Sequence, residues 1–277
     1  MKKYLITGGT GYLGMELIAR LVGEGKTDLV VVARNEGKLM DLKERFPTIE
    51  IIAGDIADEW IVKRAMRGVA GVYHCSAFKH VGMAETQSFE CIHSNIGGSV
   101  GVLRESLITR PEFVIGISTD KVAQVSGIYG ATKLCMEALF REAERVNPDT
   151  KYRIVRYGNI IKSTGSLLTK WEEKMRTGQE ITITDSSMTR FFWTVGQAVE
   201  AIYECLEKAT SAKPWISKMK GISLGNVLKA CQSVWGTGSR VTAIGIQPGE
   251  NMHETIDGII YSNEVEQYSV EEFAELL

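Results

Sequence analysis

A tyrosine and a lysine stand four positions apart in the stretch YGATK, residues 129–133. Residues at this spacing are neighbours on one face of a helix, so a helix here places Lys133 beside Tyr129. A nearby ammonium favours the phenolate and lowers the pKa of a tyrosine from its usual ~10 toward neutrality. The pair therefore predicts a tyrosine that acts as a general base, although the same spacing is common on helix surfaces that carry no chemistry.

The position of this pair in the chain strengthens the interpretation. It follows an apolar run, FVIGI at residues 113–117, which is typical of a strand and continues into STDK at residues 118–121. Ligands of open α/β sheets bind beyond the carboxyl ends of the strands. A lysine at a strand end is also typical of an exposed structural cation. The candidate catalytic residues are Thr119, Asp120, Lys121, Tyr129 and Lys133.

Glycines follow the first apolar run, in TGGTGYLG at residues 7–14, and a helical stretch comes next. In such a turn the backbone can approach a pyrophosphate, and the helix N-terminus adds N–H groups and a positive dipole. The strand, glycine turn and helix together predict dinucleotide binding rather than a merely tight turn. The candidate cofactor contacts here are Gly8, Thr10, Gly11, Tyr12, Leu13 and Gly14.

The second predicted strand ends in cations, where an NAD site usually carries an acidic residue for the ribose 2′-hydroxyl. Arg34 follows the strand, with Asn35 beside it and Lys38 four residues after it. These residues suit a 2′-phosphate and favour NADP, with a solvated cation after a strand as the alternative. After the third strand, Asp55 is expected to accept a hydrogen bond from the adenine amine and Ile56 to pack on the adenine face.

Short apolar runs alternate with amphipathic stretches through the first half of the chain. The run DLVVVA at residues 28–33 is almost continuously apolar, as a strand buried on both faces should be. This alternation predicts an α/β fold with a Rossmann-type, doubly wound parallel sheet. After residue 158 the rhythm changes, which predicts a smaller C-terminal lobe. We therefore predict an NADP-binding domain over residues 1–158, with about residues 188–210 packing back on it, and a discontinuous, mainly substrate-binding lobe over residues 159–277.

The composition disfavours binding to polymers or membranes. The 277 residues are 44% hydrophobic and 24% charged, with a net charge of −2, so no basic surface for nucleic acid or anionic lipid is expected. Five widely spaced cysteines without a C-x-x-C pair suit free thiols in a reducing compartment, and no metal site is predicted. No signal peptide or membrane-spanning run is recognisable, so we expect a cytoplasmic protein.

The glycine turn, Asp55, the Ser-Thr strand end and the Y-x-x-x-K helix together resemble an extended short-chain dehydrogenase/reductase. Further segments narrow the resemblance to the inverting UDP-N-acetylglucosamine 4,6-dehydratases and related polysaccharide-biosynthesis proteins, over nearly the whole chain. These segments are AFKHV at residues 77–81, STDK at 118–121, YGATK at 129–133, VRYGN at 155–159, TDSSMTRFF at 184–192 and QPGENMHE at 247–254.

The resemblance implies a reaction that begins with oxidation at C4 of the sugar. Tyr129 takes the 4-hydroxyl proton while hydride passes to NADP, Thr119 hydrogen-bonds the same oxygen, and Lys133 holds the nicotinamide ribose. Loss of the 6-hydroxyl then needs a base at C5 and an acid at O6, which the resemblance assigns to Lys121 and Asp120. Hydride returns to C6, and C5 is reprotonated from the opposite face.

The resemblance also supplies binding residues. Arg190 is expected to grip the diphosphate, because a guanidinium binds phosphate oxygens in pairs. Gln247 departs from the family's usual arginine, so either Arg240 or Arg190 compensates, or the nucleotide end is held less tightly. Family members commonly form dimers or larger rings, which implies a homo-oligomer. The implied cofactor contacts are Cys75, Lys79, Ser94, Asn95, Tyr129, Lys133 and Ile160, and the substrate contacts are Lys79, Thr119, Asn159, Thr164, Leu167, Arg190, Gln247 and Glu250.

Three alternatives stay open at this point. A UDP-hexose 4-epimerase uses the tyrosine and lysine but needs no acid and base for elimination, so Asp120 and Lys121 favour the dehydratase. A 5,6-dehydratase on the same scaffold, which stops at the 5,6-alkene and returns the hydride to C4, is the second alternative. A non-catalytic NADP-binding regulatory protein has little need for all five candidate catalytic residues, but a fold alone does not exclude it.

Overall fold

The computed structural model describes residues 2–247 and 250–277, and within them the chain forms twelve strands and eleven α-helices. The strands are β1 (Lys3–Thr7), β2 (Leu29–Ala33), β3 (Glu50–Ala53), β4 (Val69–His74), β5 (Phe113–Thr119), β6 (Lys151–Tyr157), β7 (Asn159–Ile160), β8 (Ile181–Ile183), β9 (Thr189–Trp193), β10 (Pro214–Trp215), β11 (Lys220–Ser223) and β12 (Val241–Ala243). The helices are α1 (Tyr12–Gly23), α2 (Glu36–Arg45), α3 (Glu59–Ala65), α4 (Val81–Thr86), α5 (Ser88–Ile92), α6 (Gly98–Thr109), α7 (Ile128–Val146), α8 (Leu167–Arg176), α9 (Val195–Lys208), α10 (Leu224–Trp235) and α11 (Val270–Glu275).

The chain divides into two compact units, neither of which is continuous in sequence. The first unit contains Met1–Ser118, Ile128–Arg156 and Val199–Trp215. The second unit contains Thr119–Gly127, Tyr157–Ala198 and Ile216–Leu277. The binding roles assigned to the two parts of the chain from sequence stay predictions.

The first unit is built on a sheet whose strand order is β10-β6-β5-β4-β1-β2-β3 among the described residues. Pairing is parallel from β1 to both β2 and β4, from β2 to β3, from β4 to β5 and from β10 to β6. Every residue of β2 is buried, as its continuous apolar run predicts for a strand covered on both faces. The predicted doubly wound parallel sheet is confirmed.

Helix α7 packs on this sheet through one stripe of its surface. Lys133, Met136, Glu137, Phe140 and Ala143 are buried and recur every three or four positions. Met136, Phe140 and Ala143 join the hydrophobic core that the strands of the first unit form with their flanking helices. Two charged residues therefore share a buried face with core side chains, and each needs a polar partner there.

The second unit is smaller and contains two short sheets within the described residues. In one, β9 lies between β11, which is antiparallel to it, and β7, which is parallel. In the other, β12 pairs in parallel with β8. Trp171, Phe192, Ile222 and Phe273 contribute to the hydrophobic core of this unit. No helix in the described part of the chain has both the length and the apolar character needed to cross a membrane.

Candidate active site

The glycine turn between β1 and α1 brings backbone close to backbone. Gly8 has φ +67°, and a Cβ atom there would lie 2.8 Å from the backbone nitrogen of Ser76. A Cβ atom on Gly14 would lie 2.6 Å from the carbonyl oxygen of Gly8. Gly11 occupies the N-cap of α1, and no side chain of the described residues caps that end. The exposed N–H groups and positive dipole of this helix end fit a pyrophosphate.

The residues after this turn enter α1 directly. Thr10 and Gly11 precede the helix, and Tyr12 and Leu13 form its first turn. The Gly11 N–H donates to the carbonyl oxygen of Gly8 at 2.9 Å, which closes the turn. Burial raises the pKa of Tyr12, and Glu16 adds to the effect.

The cations after β2 lie on the surface of the first unit. Arg34 is 60% exposed and its Nη1 lies 3.8 Å from Oδ2 of Asp55. Asn35 caps α2, because its side-chain oxygen accepts from the Lys38 N–H at 2.9 Å. Lys38, in the first turn of α2, is exposed. Arg34 and Lys38 are therefore available to a phosphate, whereas Asn35 already has a structural role.

Asp55 and Ile56 differ in their exposure after β3. The Asp55 side chain is 30% exposed, and its Oδ2 lies 3.5 Å from Nε2 of His93. Its Oδ1 accepts from the Ala57 N–H at 2.9 Å, which fixes the turn. Ile56 is only 4% exposed and belongs to the hydrophobic core of the first unit. The adenine contacts assigned to both residues stay predictions.

Asn95 connects the segment after β4 to helix α7. It is 1% exposed, and its side-chain oxygen accepts from the Phe78 N–H at 2.7 Å. Its Nδ2 donates to the Phe78 carbonyl at 3.1 Å and to Oγ1 of Thr132 at 2.9 Å. Asn95 and the buried Ser94 lie in a π-helical turn, His93–Gly97. These contacts make Asn95 a residue that positions the loop and the tyrosine–lysine helix.

Cys75 and Lys79 lie in the loop that Asn95 holds. Burial raises the pKa of the Cys75 thiol to about 12, so this cysteine is a thiol at neutral pH. Burial also lowers the pKa of Lys79, and the nearby positive charge of Lys38 lowers it further. A phosphate near Lys38 and Lys79 would relieve the repulsion between them.

A buried histidine joins the ends of β1 and β4 to α6. His74 is 2% exposed, and its Nδ1 lies 2.9 Å from Oγ1 of Thr7 while its Nε2 lies 3.1 Å from Oγ of Ser99. Ser99 donates its hydroxyl proton to the Asn95 carbonyl at 2.6 Å, so it accepts from His74 Nε2–H. Burial lowers the pKa of His74 to about 3, with a smaller effect from Lys133. The ring is therefore neutral and carries its proton on Nε2.

The tyrosine–lysine pair lies at the start of α7, as its spacing predicts. Tyr129 is half-buried in the first turn, where its carbonyl accepts from Oγ1 of Thr132 at 2.8 Å. Lys133 is 4% exposed, and its Nζ donates to the Ile117 carbonyl at 2.8 Å. Burial lowers the pKa of Lys133 to about 8. The Lys133 ammonium is thus anchored to β5 of the first unit.

One turn further along α7, Glu137 binds the sheet through two partners. It is 1% exposed and accepts from Nη2 of Arg156 at 2.9 Å and 2.7 Å, one bond to each carboxylate oxygen. It also accepts from the Ser118 hydroxyl at 2.6 Å. Ser118 belongs to β5 and Arg156 to β6, so Glu137 joins the helix to two strands.

Thr119, Asp120 and Lys121 form a contiguous set in the second unit, where β5 ends. The Thr119 hydroxyl donates to Oδ1 of Asp120 at 2.9 Å. Lys121 Nζ donates to both carboxylate oxygens of Asp120, at 3.0 Å and 2.9 Å. Asp120 is 1% exposed, so this ion pair is largely removed from water. A Cβ atom on Gly158 would lie 2.7 Å from Cβ of Phe191 and 3.0 Å from its carbonyl oxygen, so the glycine lets the chain before β7 approach β9 closely.

Glu254 is a second carboxylate partner of Lys121, beside Asp120. The sequence analysis did not assign it to the site. Its Oε1 lies 3.2 Å from Lys121 Nζ and 3.5 Å from Nε of Arg190. Arg190 is 9% exposed and donates from Nη1 to the carbonyls of Thr189 at 2.8 Å and Met252 at 3.3 Å. Arg190, which the sequence predicts to bind the diphosphate, therefore already has polar partners within the second unit.

Three further predicted substrate contacts, Asn159, Thr164 and Leu167, and the predicted cofactor contact Ile160 also lie in the second unit. Asn159 donates from Nδ2 to the Phe191 carbonyl at 3.1 Å, and Ile160 pairs with Trp193 in β7 and β9. Thr164 is exposed in the segment before α8, and Leu167, the first residue of that helix, is 39% exposed. These placements leave Thr164 and Leu167 accessible to a ligand.

Gln247 and Glu250 hydrogen-bond each other, and Pro248 and Gly249 between them lie outside the described residues. The Gln247 N–H donates to Oε2 of Glu250 at 3.1 Å, and its Nε2 donates to the Gly245 carbonyl at 3.0 Å. Arg240, one of the two candidates to replace the missing arginine, is 83% exposed and lies 3.8 Å from Glu180. In the described part of the chain no group of three or more His, Cys, Asp or Glu is placed to hold a metal ion.

The doubly wound sheet, the glycine turn and the tyrosine–lysine helix define a short-chain dehydrogenase/reductase type of protein, and the comparisons specify it further. Residues 4–275 match a family model described as polysaccharide biosynthesis protein. The chain belongs to this family, which confirms the resemblance stated from its motifs.

Three relatives cover most of the chain. The inverting UDP-N-acetylglucosamine 4,6-dehydratase of Campylobacter jejuni is 32% identical over 91% of this chain and 76% of its own length. The UDP-glucose 4-epimerase of Rickettsia akari is 29% identical, over 92% and 77% of the two chains. A chain named an uncharacterised membrane protein, from Methanocaldococcus jannaschii, is 30% identical over 99% and 84%.

Solved structures agree with the fold. Pen from Bacillus thuringiensis superposes with a TM-score of 0.88 at 32% identity, covering 92% of this chain and 83% of that one. The dTDP-glucose 4,6-dehydratase of Streptomyces venezuelae, solved with NAD bound, superposes with a TM-score of 0.85 over 99% and 95% of the chains. Its identity is 17%, so this second likeness supports the fold alone.

Proposed function

We propose that this sugar-nucleotide-modifying enzyme dehydrates a UDP-N-acetylhexosamine to a UDP-4-keto-6-deoxy sugar with inversion at C5, for surface-glycan biosynthesis. UDP-N-acetylglucosamine is the substrate we favour. The observation that carries the proposal is the buried Asp120–Lys121 ion pair beside Thr119, where β5 ends. It provides one acidic and one basic group for the elimination, and the Campylobacter jejuni relative of that activity is 32% identical.

The first unit is suited to hold a nicotinamide dinucleotide. The glycine turn and the free end of α1 would bind the pyrophosphate, and the exposed Arg34 and Lys38 would bind a 2′-phosphate, which favours NADP over NAD. When bound, this cofactor would accept a hydride from the sugar and return it within one turnover.

Residues of this chain would handle the protons of the oxidation. Tyr129 takes the proton of the 4-hydroxyl, and Thr119 hydrogen-bonds the same oxygen once its hydroxyl has turned away from Oδ1 of Asp120. The Lys133 ammonium, held by the Ile117 carbonyl, favours the phenolate of Tyr129 and holds the nicotinamide ribose. Once C4 is a ketone, the C5 proton is acidic enough for Lys121 to remove it while Asp120 protonates the departing 6-hydroxyl.

A UDP-hexose 4-epimerase is the second candidate, because the Rickettsia akari relative of that activity is 29% identical. Epimerisation reverses the configuration at C4 and breaks no bond at C5 or C6. It gives no role to an acid and a base at the position of Asp120 and Lys121, which is why we favour the dehydratase.

The deciding experiment is NMR of the product that the purified protein forms from UDP-N-acetylglucosamine in D2O with added NADP. A 6-deoxy-4-keto sugar with deuterium at C5 and inverted configuration supports the full proposal. A 6-deoxy-4-keto sugar with retained configuration at C5 supports the dehydration and contradicts the inversion. A C4 epimer with no loss of water contradicts the proposal and supports the epimerase, and a 5,6-alkene supports the 5,6-dehydratase.

Cofactor preference is tested by binding. We expect NADPH to bind more tightly than NADH in a fluorescence titration, because a guanidinium and an ammonium near a 2′-phosphate contribute charge-assisted hydrogen bonds of about 1.5–3 kcal/mol each. Arg34→Ala should weaken NADPH binding about tenfold or more and leave NADH binding nearly unchanged. Arg67→Ala, which removes an exposed arginine elsewhere in the first unit, is the matched control. Equal loss of both cofactors in Arg34→Ala contradicts the NADP assignment.

We propose a cytoplasmic enzyme that forms a homo-oligomer, and light scattering after size-exclusion chromatography measures its size.

A further inference from the structure

Four charged side chains of the second unit form one buried group, which we call the Lys121 cluster: Asp120, Lys121, Arg190 and Glu254. The charges alternate along it, because Lys121 lies between the two carboxylates and Glu254 lies between Lys121 and Arg190. Exposure is 1% for the Asp120 side chain, 4% for Glu254, 11% for Arg190 and 18% for Lys121. The cluster is neutral as a whole, so its burial leaves no charge uncompensated.

Glu254 is held in this position by its backbone. Its N–H donates to Oγ of Ser262 at 3.0 Å, and its carbonyl accepts from the Ser262 N–H at 2.8 Å. The Ser262 hydroxyl lies 2.6 Å from Oγ1 of Thr189, at the start of β9. The Thr189 N–H donates to the Met252 carbonyl at 3.1 Å. Both sides of Glu254 are thus fixed to β9, the strand that carries Arg190.

The surroundings of Lys121 favour its charged form. Burial opposes the ammonium, but the carboxylates of Asp120 and Glu254 outweigh burial and the repulsion from Arg190, so the pKa of Lys121 lies above its ordinary value. The proposed elimination needs the opposite arrangement, a neutral amine at Lys121 and a protonated acid at Asp120. A lysine in this cluster cannot easily release its proton to water at neutral pH.

We propose that Glu254 is a positioning residue of the elimination: it holds Lys121 against Asp120, so that the base and the acid form together when one proton passes from Lys121 Nζ to Asp120. This inference rests on the proposed function. The Lys121 Nζ–Asp120 distances of 3.0 Å and 2.9 Å permit the transfer without movement of either residue. Bound substrate that excludes water favours it, because a low dielectric penalises a charge pair relative to two neutral groups.

The step balances without exchange with water. The Lys121 ammonium and Asp120 carboxylate become an amine and a carboxylic acid. The amine then takes the C5 proton of the 4-keto sugar, and the C5–H electron pair forms the C5–C6 double bond. The C6–O bond breaks, its electron pair stays with oxygen, and Asp120 delivers its proton so that water leaves. Lys121 is again an ammonium and Asp120 a carboxylate.

Glu254 and Arg190 keep the cluster neutral through this exchange. While Asp120 and Lys121 are uncharged, the Glu254 carboxylate still faces the Arg190 guanidinium at 3.5 Å. No isolated buried charge therefore appears at any stage. Removal of the Glu254 charge should make the proton that Lys121 and Asp120 share easier to lose to water. The Lys121–Asp120 pair would then lose this proton, and with it the acid of the elimination, at a lower pH.

The test compares the pH dependence of kcat/KM for Glu254→Gln, Glu254→Asp and the wild type. In Glu254→Gln the basic limb should move to lower pH by about 1 unit, and Glu254→Asp, which keeps the charge, should restore it. Glu266→Gln is the matched control, because it removes an exposed carboxylate paired with Lys220 in the same unit. Equal loss of rate at every pH indicates a merely structural role and overturns the proposal. Higher activity of Glu254→Gln at neutral pH also overturns it, since that result means that the Glu254 carboxylate hinders the elimination instead of supporting it.

A second measurement needs no turnover. Protein with 15N-labelled lysine is titrated by NMR, with the Lys121 Nζ signal assigned by its absence in Lys121→Arg. The pKa of Lys121 should be about 1 unit lower in Glu254→Gln than in the wild type. An unchanged pKa overturns the role of Glu254 whatever the enzyme's substrate is. If the wild type forms no 6-deoxy-4-keto sugar, the proposed function fails, and this titration still decides whether Glu254 controls the proton on Lys121.

Discussion

Lys121 is the residue on which the proposed elimination depends, and two buried carboxylates hold it in place. Replacing it separates the two halves of the reaction. In Lys121→Ala we expect oxidation at C4 to continue and loss of water to stop, since no amine remains to take the C5 proton. Reduced nicotinamide should then accumulate in a single-turnover absorbance measurement, and mass spectrometry should show no dehydrated sugar.

Lys229→Ala is the control for this variant, because Lys229 is exposed on α10 of the same unit. Dehydration at an unchanged rate in Lys121→Ala would show that another group is the C5 base.

Tyr129 belongs to the earlier step. Tyr129→Phe removes the oxygen that takes the 4-hydroxyl proton and leaves the ring in place. We expect the oxidation rate to fall by a factor of about 10²–10⁴, as for loss of a general base. The measurement is the rate at which reduced nicotinamide appears after mixing with the sugar nucleotide.

Tyr203→Phe provides the comparison, since it removes a hydroxyl of the first unit that donates to Oε2 of Glu24 at 3.1 Å. An oxidation rate near that of wild type in Tyr129→Phe would exclude Tyr129 as the base.

At this scale the sequence identified the candidates with a local pattern and missed those without one. Tyr129 and Lys133 were visible because four positions on a helix place them on one face. Glu254 carries no such signal toward Lys121, because its contact depends on the path of the chain through the second unit. Asn35 is the opposite case. Its position after β2 made it a candidate cofactor contact, but its side chain caps the N-terminus of α2.

Helix α7 illustrates how an element positions the chemistry. Glu137 fixes it to β5 and β6 through Ser118 and Arg156. Glu137→Gln removes the charge opposite a buried guanidinium and should lower the free energy of unfolding by about 3 kcal/mol. Chemical denaturation measures this loss. Glu142→Gln, on the exposed side of the same helix, should cost no more than about 0.5 kcal/mol. Equal effects of the two changes would contradict the role given to Glu137.

Most elements of the first unit could be predicted from sequence because their apolar patterns are strong. Strand β2 is one continuous apolar run, and α7 has a stripe that recurs every three or four positions. The π-helical turn at His93–Gly97 could not be predicted, because it arises from tertiary contacts such as those of Asn95 rather than from an apolar repeat. Short strands such as β7 and β10 have two residues each and leave no period to detect.

The stability of the whole molecule should depend on pH through His74. The pKa of this buried ring is lowered by burial from 6.5 to about 3 in the folded protein. Between these values the unfolded chain binds a proton that the folded chain does not, so falling pH favours unfolding. The contribution is at most about 1.4 kcal/mol per pH unit.

Denaturant unfolding of the wild type and His74→Gln from pH ~7 to ~4 measures this contribution, since carboxylates common to both proteins cancel in the difference. We expect the free energy of unfolding to fall more steeply in the wild type. Parallel curves would show that His74 is not held neutral.

The order of strands in the first unit has a consequence for how the protein is made. Edge strand β10, Pro214–Trp215, pairs with β6, Lys151–Tyr157, and the chain between them contains β7, β8 and β9 of the second unit. A ribosome therefore releases β6 long before its outer neighbour exists. Until residue 215 has emerged, one edge of the nascent sheet offers unpaired N–H and C=O groups to other chains. The sheet has all of its strands only after β10 has emerged. Synthesis that stalls between β6 and β10 should therefore yield a chain that depends on chaperones.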